Sequence, residues 1–151
     1  MNSLKVMLLV CAATAALPGA RPLTTDRPDA TESPFTVEPG FVQVEISAAQ
    51  WTRDRRTVAR DGVSVETWAV APINVRFGLT SSTEIQVVHD GYLDISTRDR
   101  VAGTTDRRRG AGDLTVRFKA NSRGNDGEGA AWGVMPYVKL PTAATGLGND
   151  A

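Results

Sequence analysis

Residues Val63 to Leu79 read VSVETWAVAPINVRFGL, with an apolar or small residue at every second position. Val63, Val65, Thr67, Ala69, Ala71, Ile73, Val75, Phe77 and Leu79 fall on one face, and Ser64, Glu66, Asn74 and Arg76 on the other. Side chains alternate across a strand, whereas helical spacing would scatter this set around a cylinder. The stretch therefore predicts a β-strand with one apolar and one polar face.

The same period extends outward along the chain. Val42, Val44, Ile46 and Ala48 alternate with Gln43, Glu45 and Ser47. From Thr83 to Ile95, Ile85, Val87, Leu93 and Ile95 oppose Glu84, Gln86, Asp90 and Asp94. From Asp113 to Asn121, Leu114, Val116, Phe118 and Ala120 oppose Asp113, Thr115, Arg117, Lys119 and Asn121. Near Trp132 to Leu140, Trp132, Val134, Pro136, Val138 and Leu140 share a face opposite Tyr137 and Lys139. Alternating segments of about ten residues match antiparallel barrel strands that cross a membrane obliquely. The links near 52–62 and 96–111 read as long charged loops, 80–82 as a tight turn and 122–130 as an Asn/Asp/Gly-rich connection. That order suits a barrel with alternating outer loops and short turns.

Alternation does not distinguish inside from outside. A soluble lipocalin-like barrel turns its apolar face inward, and an outer-membrane barrel turns it toward lipid. Two features favour lipid. The apolar face is built from Val, Ala, Thr and Ile with few large aromatics, a poor filling for a soluble core. The polar face carries charges of both signs in mid-strand, at Glu45, Glu66, Arg76, Arg117 and Lys119. Three residues break the pattern. His89 falls on the apolar face, where a polar ring in lipid is expensive and a β-bulge would move the register. Trp51 and Trp68 fall on the polar face, leaving Trp132 as the girdle residue.

The N-terminus has the layout of an export signal. Met1 to Lys5 carries one cation, Val6 to Leu17 is apolar or small, and Pro18, Gly19 and Ala20 break the run. Cleavage is expected near residue 20, with Ala15 and Ala16 as alternatives. Cys11, the sole cysteine, lies inside this segment, and Val10 before it is larger than a lipoprotein signal favours. A mature chain without thiols excludes a disulfide framework, a thiol catalyst and a cysteine zinc site. After residue 20 no apolar run reaches the length of a transmembrane helix. Net charge is zero, which gives no reason to expect a nucleic-acid partner. The lone His89 has no second histidine with which to share a metal. No nucleophile elbow, phosphate loop or dinucleotide fingerprint occurs, so neither an enzyme nor a cofactor is expected.

Residues 21–40, RPLTTDRPDATESPFTVEPG, hold Pro22, Pro28, Pro34 and Pro39 among Thr, Asp, Glu and Ser. Proline removes backbone donors, and Asp and Thr favour local turns. The segment reads as an irregular lead-in, not a packed element: either a spacer or a piece that folds back into the lumen.

The run Thr25-Asp26-Arg27-Pro28-Asp29-Ala30-Thr31-Glu32-Ser33-Pro34, then Val37, Pro39-Gly40 and Gln43-Val44-Glu45, resembles the start of a family of outer-membrane transporters named for the meta pathway of phenol degradation. Gly110-Ala111-Gly112-Asp113-Leu114 with Arg117 and Lys119 resembles its G-x-G-D strand opening. Met135-Pro136-Tyr137-Val138-Lys139-Leu140-Pro141-Thr142 resembles its P-x-V-K-L-P-T segment. The resemblance spans residues 24–148 and implies a barrel and a channel role. Such barrels continue with further strands to a terminal aromatic residue, whereas this chain ends at Gly146-Leu147-Gly148-Asn149-Asp150-Ala151. A barrel truncated to about five strands is therefore the expectation.

The expected organisation is a signal peptide over 1–20, a periplasmic lead-in over 21–40 and the N-terminal part of one all-β, antiparallel, up-and-down outer-membrane barrel over 41–151. The expected function is passage of small solutes, aromatic ones included, through a polar lumen, with outer-membrane lipid and lipopolysaccharide as surroundings. Gln43, Glu45, Glu66, Asn74, Arg76, Glu84, Gln86, Asp113, Arg117, Lys119 and Lys139 are the expected lumen lining, holding water and setting charge preference. Arg107, Arg108 and Arg109 read as a solvated loop or as a contact for lipopolysaccharide phosphates. Two other readings are a non-conducting structural or surface-binding barrel and a soluble periplasmic ligand-binding barrel.

Overall fold

A computed structural model of the chain describes residues 4–8, 23–26, 32–55 and 62–148, with the backbone alone at 4–8 and at Arg55. Among these residues there are eleven strands and no helix. They are β1 (Leu4–Leu8), β2 (Val42–Ile46), β3 (Ala49–Arg55), β4 (Val63–Val70), β5 (Ile73–Thr80), β6 (Thr83–His89), β7 (Tyr92–Asp99), β8 (Thr104–Ala111), β9 (Leu114–Arg123), β10 (Trp132–Val134) and β11 (Tyr137–Leu140). All pairings are antiparallel. A five-stranded sheet runs β1-β3-β4-β7-β8, and a six-stranded one runs β10-β9-β6-β5-β2 with β11 also on β9.

The two sheets are the two ends of one meander. Ile46 opposes Ile73 in one sheet and, three residues on, Ala49 opposes Val70 in the other. Likewise His89 opposes Leu114, and Tyr92 opposes Ala111. Register is thus kept across each break, and each pair such as β4–β5 is one long strand bent in the middle. The bends have local causes. Pro72 has no N–H to give the ladder, and Ala71 before it sits at φ 52°. Gly91 sits at φ 74°, and a Cβ there would overlap the Val70 carbonyl oxygen. Backbone bonds still cross the bend, from Ala71 N to Ala48 O (3.1 Å) and from Gly112 N to Gly91 O (2.8 Å).

The fold is therefore all-β, antiparallel and up-and-down, a barrel-like sheet that stays open across the described residues. The five alternating segments expected from the sequence are its five long strands. Two of the expected links are not loops. The third strand continues past Ile95 to Asp99, and β8 occupies Thr104–Ala111, so only a short turn remains of the 96–111 link. There Asp99 Oδ1 accepts from Val101 N and Ala102 N at 2.9 and 3.0 Å. β8 escapes a period-two search because TTDRRRGA has no apolar face; every residue from Thr104 to Arg109 is exposed. Similarly β3 runs to Arg55 within the expected 52–62 link, and residues 56–61 lie outside the described ones. Leu4–Leu8, inside the expected export signal, lies along β3, and the rest of that segment is not among the described residues.

Burial is inverted relative to a soluble core. Among the described residues the buried apolar side chains are Val37, Val88 and Pro72, against twelve buried polar or charged ones. Apolar rows run across the outer face of the six-stranded sheet. Val44, Val75, Val87, Val116 and Val138 stand abreast on five neighbouring strands, 51% exposed at Val44 and 62% at Val138. The next row is Ile46, Ile73, His89, Leu114 and Leu140. His89 does occupy the apolar row, with no bulge beside it. The irregularity lies at Gly78–Thr80, and His89 satisfies its ring at the bend by accepting from Gly91 N at 3.0 Å.

Candidate functional site

The opposite face of the six-stranded sheet gathers the polar residues. One cross-strand row is Gln43, Arg76, Gln86, Arg117 and Tyr137; a second is Glu45, Asn74, Val88, Thr115 and Lys139; a third brings Gly78, Glu84 and Lys119 together. Paired residues share a face and sit within side-chain reach. The period of two thus delivers ten of the eleven expected lining residues to one surface, with Asp113 just before β9 and paired with Lys139.

The lead-in covers that surface. It is irregular, as expected, but it is packed. Glu38 to Phe41 makes a tight turn closed by Phe41 N donating to Glu38 O (3.0 Å), with Pro39 then Gly40 at its centre and Gly40 at φ 79°. Proline followed by a positive-φ glycine is the chemistry of a type II turn. The turn folds the preceding residues back onto the strands. At Gly78 the approach is so close that a Cβ would overlap the Glu38 carbonyl oxygen.

Beneath the lead-in, Arg76 and Glu84 are fully buried. The Arg76 guanidinium donates to Glu84, to Glu45 Oε1 (3.1 Å), to Thr24 O (2.7 Å) and to Phe35 O (3.0 Å). Lys119 pairs with Asp26 and donates to Ser33 O at 2.8 Å. Gln86 Nε2 donates to Asp26 Oδ2 at 2.6 Å, and Gln43 Nε2 to Thr24 O at 3.0 Å. Glu84 Oε2 accepts from Val37 N (2.6 Å), and both Glu45 oxygens accept from Asp26 N. Asn121 Nδ2 reaches Pro34 O at 2.9 Å. Arg117 pairs with Glu32 at 2.6 Å nearer the surface. Buried charges persist only when paired and bonded in this way.

Among the described residues of this face, two buried groups stay unbonded. The Asn74 amide nitrogen and oxygen and the Gln86 Oε1 have no hydrogen-bond partner. Asp113, almost fully buried, pairs with Lys139 (3.1 Å) and accepts from Thr142 N and Ala143 N.

Glu66 is the expected lining residue that the fold places elsewhere. It lies on β4 in the other sheet and accepts from the Trp51 indole N–H at 2.7 Å. Trp51 packs against its cross-strand partner Trp68 with ring centroids 6.3 Å apart. Glu66 keeps the strand period but belongs beyond the bend, which periodicity does not reveal. Asp26 joins the cluster from the lead-in, in line with the reading in which that segment folds back onto the polar face. Its signal was the Asp/Arg/Glu density of a segment with no periodicity.

Arg107, Arg108 and Arg109 lie on β8, not in a loop. Arg107 and Arg109 both donate to Asp94, at 2.6 and 2.9 Å, and Arg108 pairs with Asp106 at 2.9 Å. The bond from Arg107 holds the Asp94 carboxyl below the usual carboxylate range and holds Arg107 above its own ordinary value. Among the described residues no cluster of His, Cys, Asp and Glu could hold a metal ion.

No curated protein and no solved structure matches the chain significantly. The family described as "Putative MetA-pathway of phenol degradation" matches residues 25–151, from the first described lead-in residues through every strand after β1. That match covers the strands, their turns and the segment packed upon them, and the chain belongs to this family of phenol degradation.

Proposed function

We propose that the chain is part of an outer-membrane β-barrel through which small solutes, aromatic ones among them, pass along a polar lumen. The inverted burial carries this reading. Valine and isoleucine rows face outward while Arg76, Glu84, Gln86 and Lys119 are buried. Water would penalise such an outer face and lipid would not. The ten residues of β9 match the 9–11 that an oblique strand needs to cross a bilayer. In this reading the six-stranded sheet crosses the membrane and the charged β7–β8 hairpin projects beyond it. There Arg107, Arg108 and Arg109 would meet lipopolysaccharide phosphates by exchanging their aspartate partners. Residues 1–20 would serve export and be removed, freeing the β3 edge. The role asks for no covalent chemistry. Membership of a phenol-degradation family supports aromatic cargo.

A second reading has its own support. The lead-in fills the polar face, as a closed, non-conducting barrel would require. Fractionation followed by liposome flux separates the readings. The full chain is expected in the urea-resistant outer-membrane fraction. In liposomes it is expected to raise the flux of benzoate and of a small sugar above that of protein-free vesicles. Membrane insertion without flux would favour the closed barrel. A chain that stays soluble without detergent would overturn both membrane readings.

A further inference from the structure

We propose that the lead-in is a reversible strap: residues 24–26 and 32–37 dock on the polar face to close the lumen, and they undock about the Glu38–Phe41 turn to open it. This rests on the channel reading. Three observations support it.

The attachment is polar almost throughout. Arg76, Lys119 and Asn121 hold the strap by its carbonyl oxygens at Thr24, Phe35, Ser33 and Pro34, and Glu45 and Glu84 hold it by its N–H groups at Asp26 and Val37. Val37 is the one buried apolar side chain on the described strap residues. Undocking therefore exposes groups that water in a lumen can bond, with little hydrophobic loss.

The docked state also has unfavourable features of its own. Among the described residues, the strand cations Arg76 and Lys119 balance the carboxylates Glu45 and Glu84, and Asp26 adds a third carboxylate to this buried set. In the docked state the Asn74 amide and Gln86 Oε1 are almost wholly buried with no partner among the described residues. Water entering an open lumen would satisfy both. The hydrogen bonds that favour docking are thus offset by excess charge and unbonded amides, the balance a two-state element needs.

The hinge is separate from the latch. The turn is anchored to the sheet by Gly40 N to Gly78 O and Gly78 N to Phe41 O, both 3.0 Å. Gly78 has no side chain to obstruct the chain that swings above it, and a Cβ at Gly40 would meet nothing within 4 Å.

The test is benzoate flux in liposomes with the full chain. Thr24→Cys and Gln43→Cys, in a Cys11→Ser background, would tie the strap to β2 where Gln43 now donates to Thr24 O. Flux is expected to fall on oxidation and return on reduction, so the reduced protein controls for folding. Asp26→Ala with Glu32→Ala is expected to raise flux above wild type. Equal flux from oxidised, reduced and loosened proteins, all above protein-free vesicles, would overturn the strap and leave the channel standing. No flux from any of them, all inserted in the membrane, would overturn the channel reading itself.

Discussion

Arg76 and Glu84 form a two-pronged ion pair across the β5–β6 hairpin, Nε to Oε1 and Nη2 to Oε2 each at 3.0 Å, with neither side chain reaching solvent. Register sets Arg76 opposite Gln86 and Glu84 opposite Gly78, so the pair is diagonal. Only a long, forked guanidinium can span that diagonal and still bond Thr24 O, Phe35 O and Glu45. Removing one partner strands a buried charge. Glu84→Ala is expected to cost about 3–5 kcal/mol of stability. Glu84→Gln is expected to cost less, because an amide oxygen still accepts from Val37 N. Denaturant unfolding of the detergent-solubilised proteins measures both. Equal losses would show that the charge is not what matters.

Gly78 tests the contact between strap and sheet. Gly78→Ala would drive a methyl group into the Glu38 carbonyl, so either the strap or the strand must shift. Faster protease cleavage within residues 24–37 is expected, with the strands after β4 still protected. Unchanged cleavage would show that the strap absorbs the methyl without lifting.

Arg117 is an accessible member of the polar rows, about a quarter exposed and paired with Glu32. An ion pair so placed contributes about 0–1 kcal/mol, so its reversal should leave the fold intact. Arg117→Glu is expected to move ion selectivity toward cations. Reversal potentials across a planar bilayer under a salt gradient report this. No change would count against Arg117 as part of the lining.

Asp94 makes a pH prediction. Its carboxyl titrates below the ordinary range because Arg107 donates to it, with Arg109 adding to the effect. A lowered folded-state value stabilises above the unfolded value and is lost as pH falls through the folded one. The β7–β8 hairpin should therefore hold at neutral pH and loosen only in acid below the usual carboxylate range. Carboxyl-carbon NMR should show Arg107→Ala raising the Asp94 midpoint toward normal. A midpoint that does not move would remove Arg107 as the cause.

Much of the fold was legible because a strand's period is two and its faces differ. Val63 to Leu79 predicted one long strand, and the structure has one, bent at Ala71–Pro72. The residues of the polar face were legible for the same reason: Gln43, Arg76, Gln86 and Arg117 fall in one row because alternation fixes their face and pairing fixes their level. β8 was illegible because a strand with two polar faces has no alternation to detect. Its pairing with β7, tied by Asp94 to Arg107 and Arg109, made it a strand.

The sequence by itself determined the alternating strands, their two-faced character and the family, since each follows from local alternation or a contiguous motif. Tertiary structure alone decided what the lead-in does. Thr24, Asp26, Ser33 and Phe35 carry no periodicity, and their partners Arg76, Gln86 and Lys119 lie tens of residues away in sequence. Tertiary structure also decided which face is buried. Alternation is symmetric between inside and outside, and only the closing of a polar segment over one face breaks that symmetry.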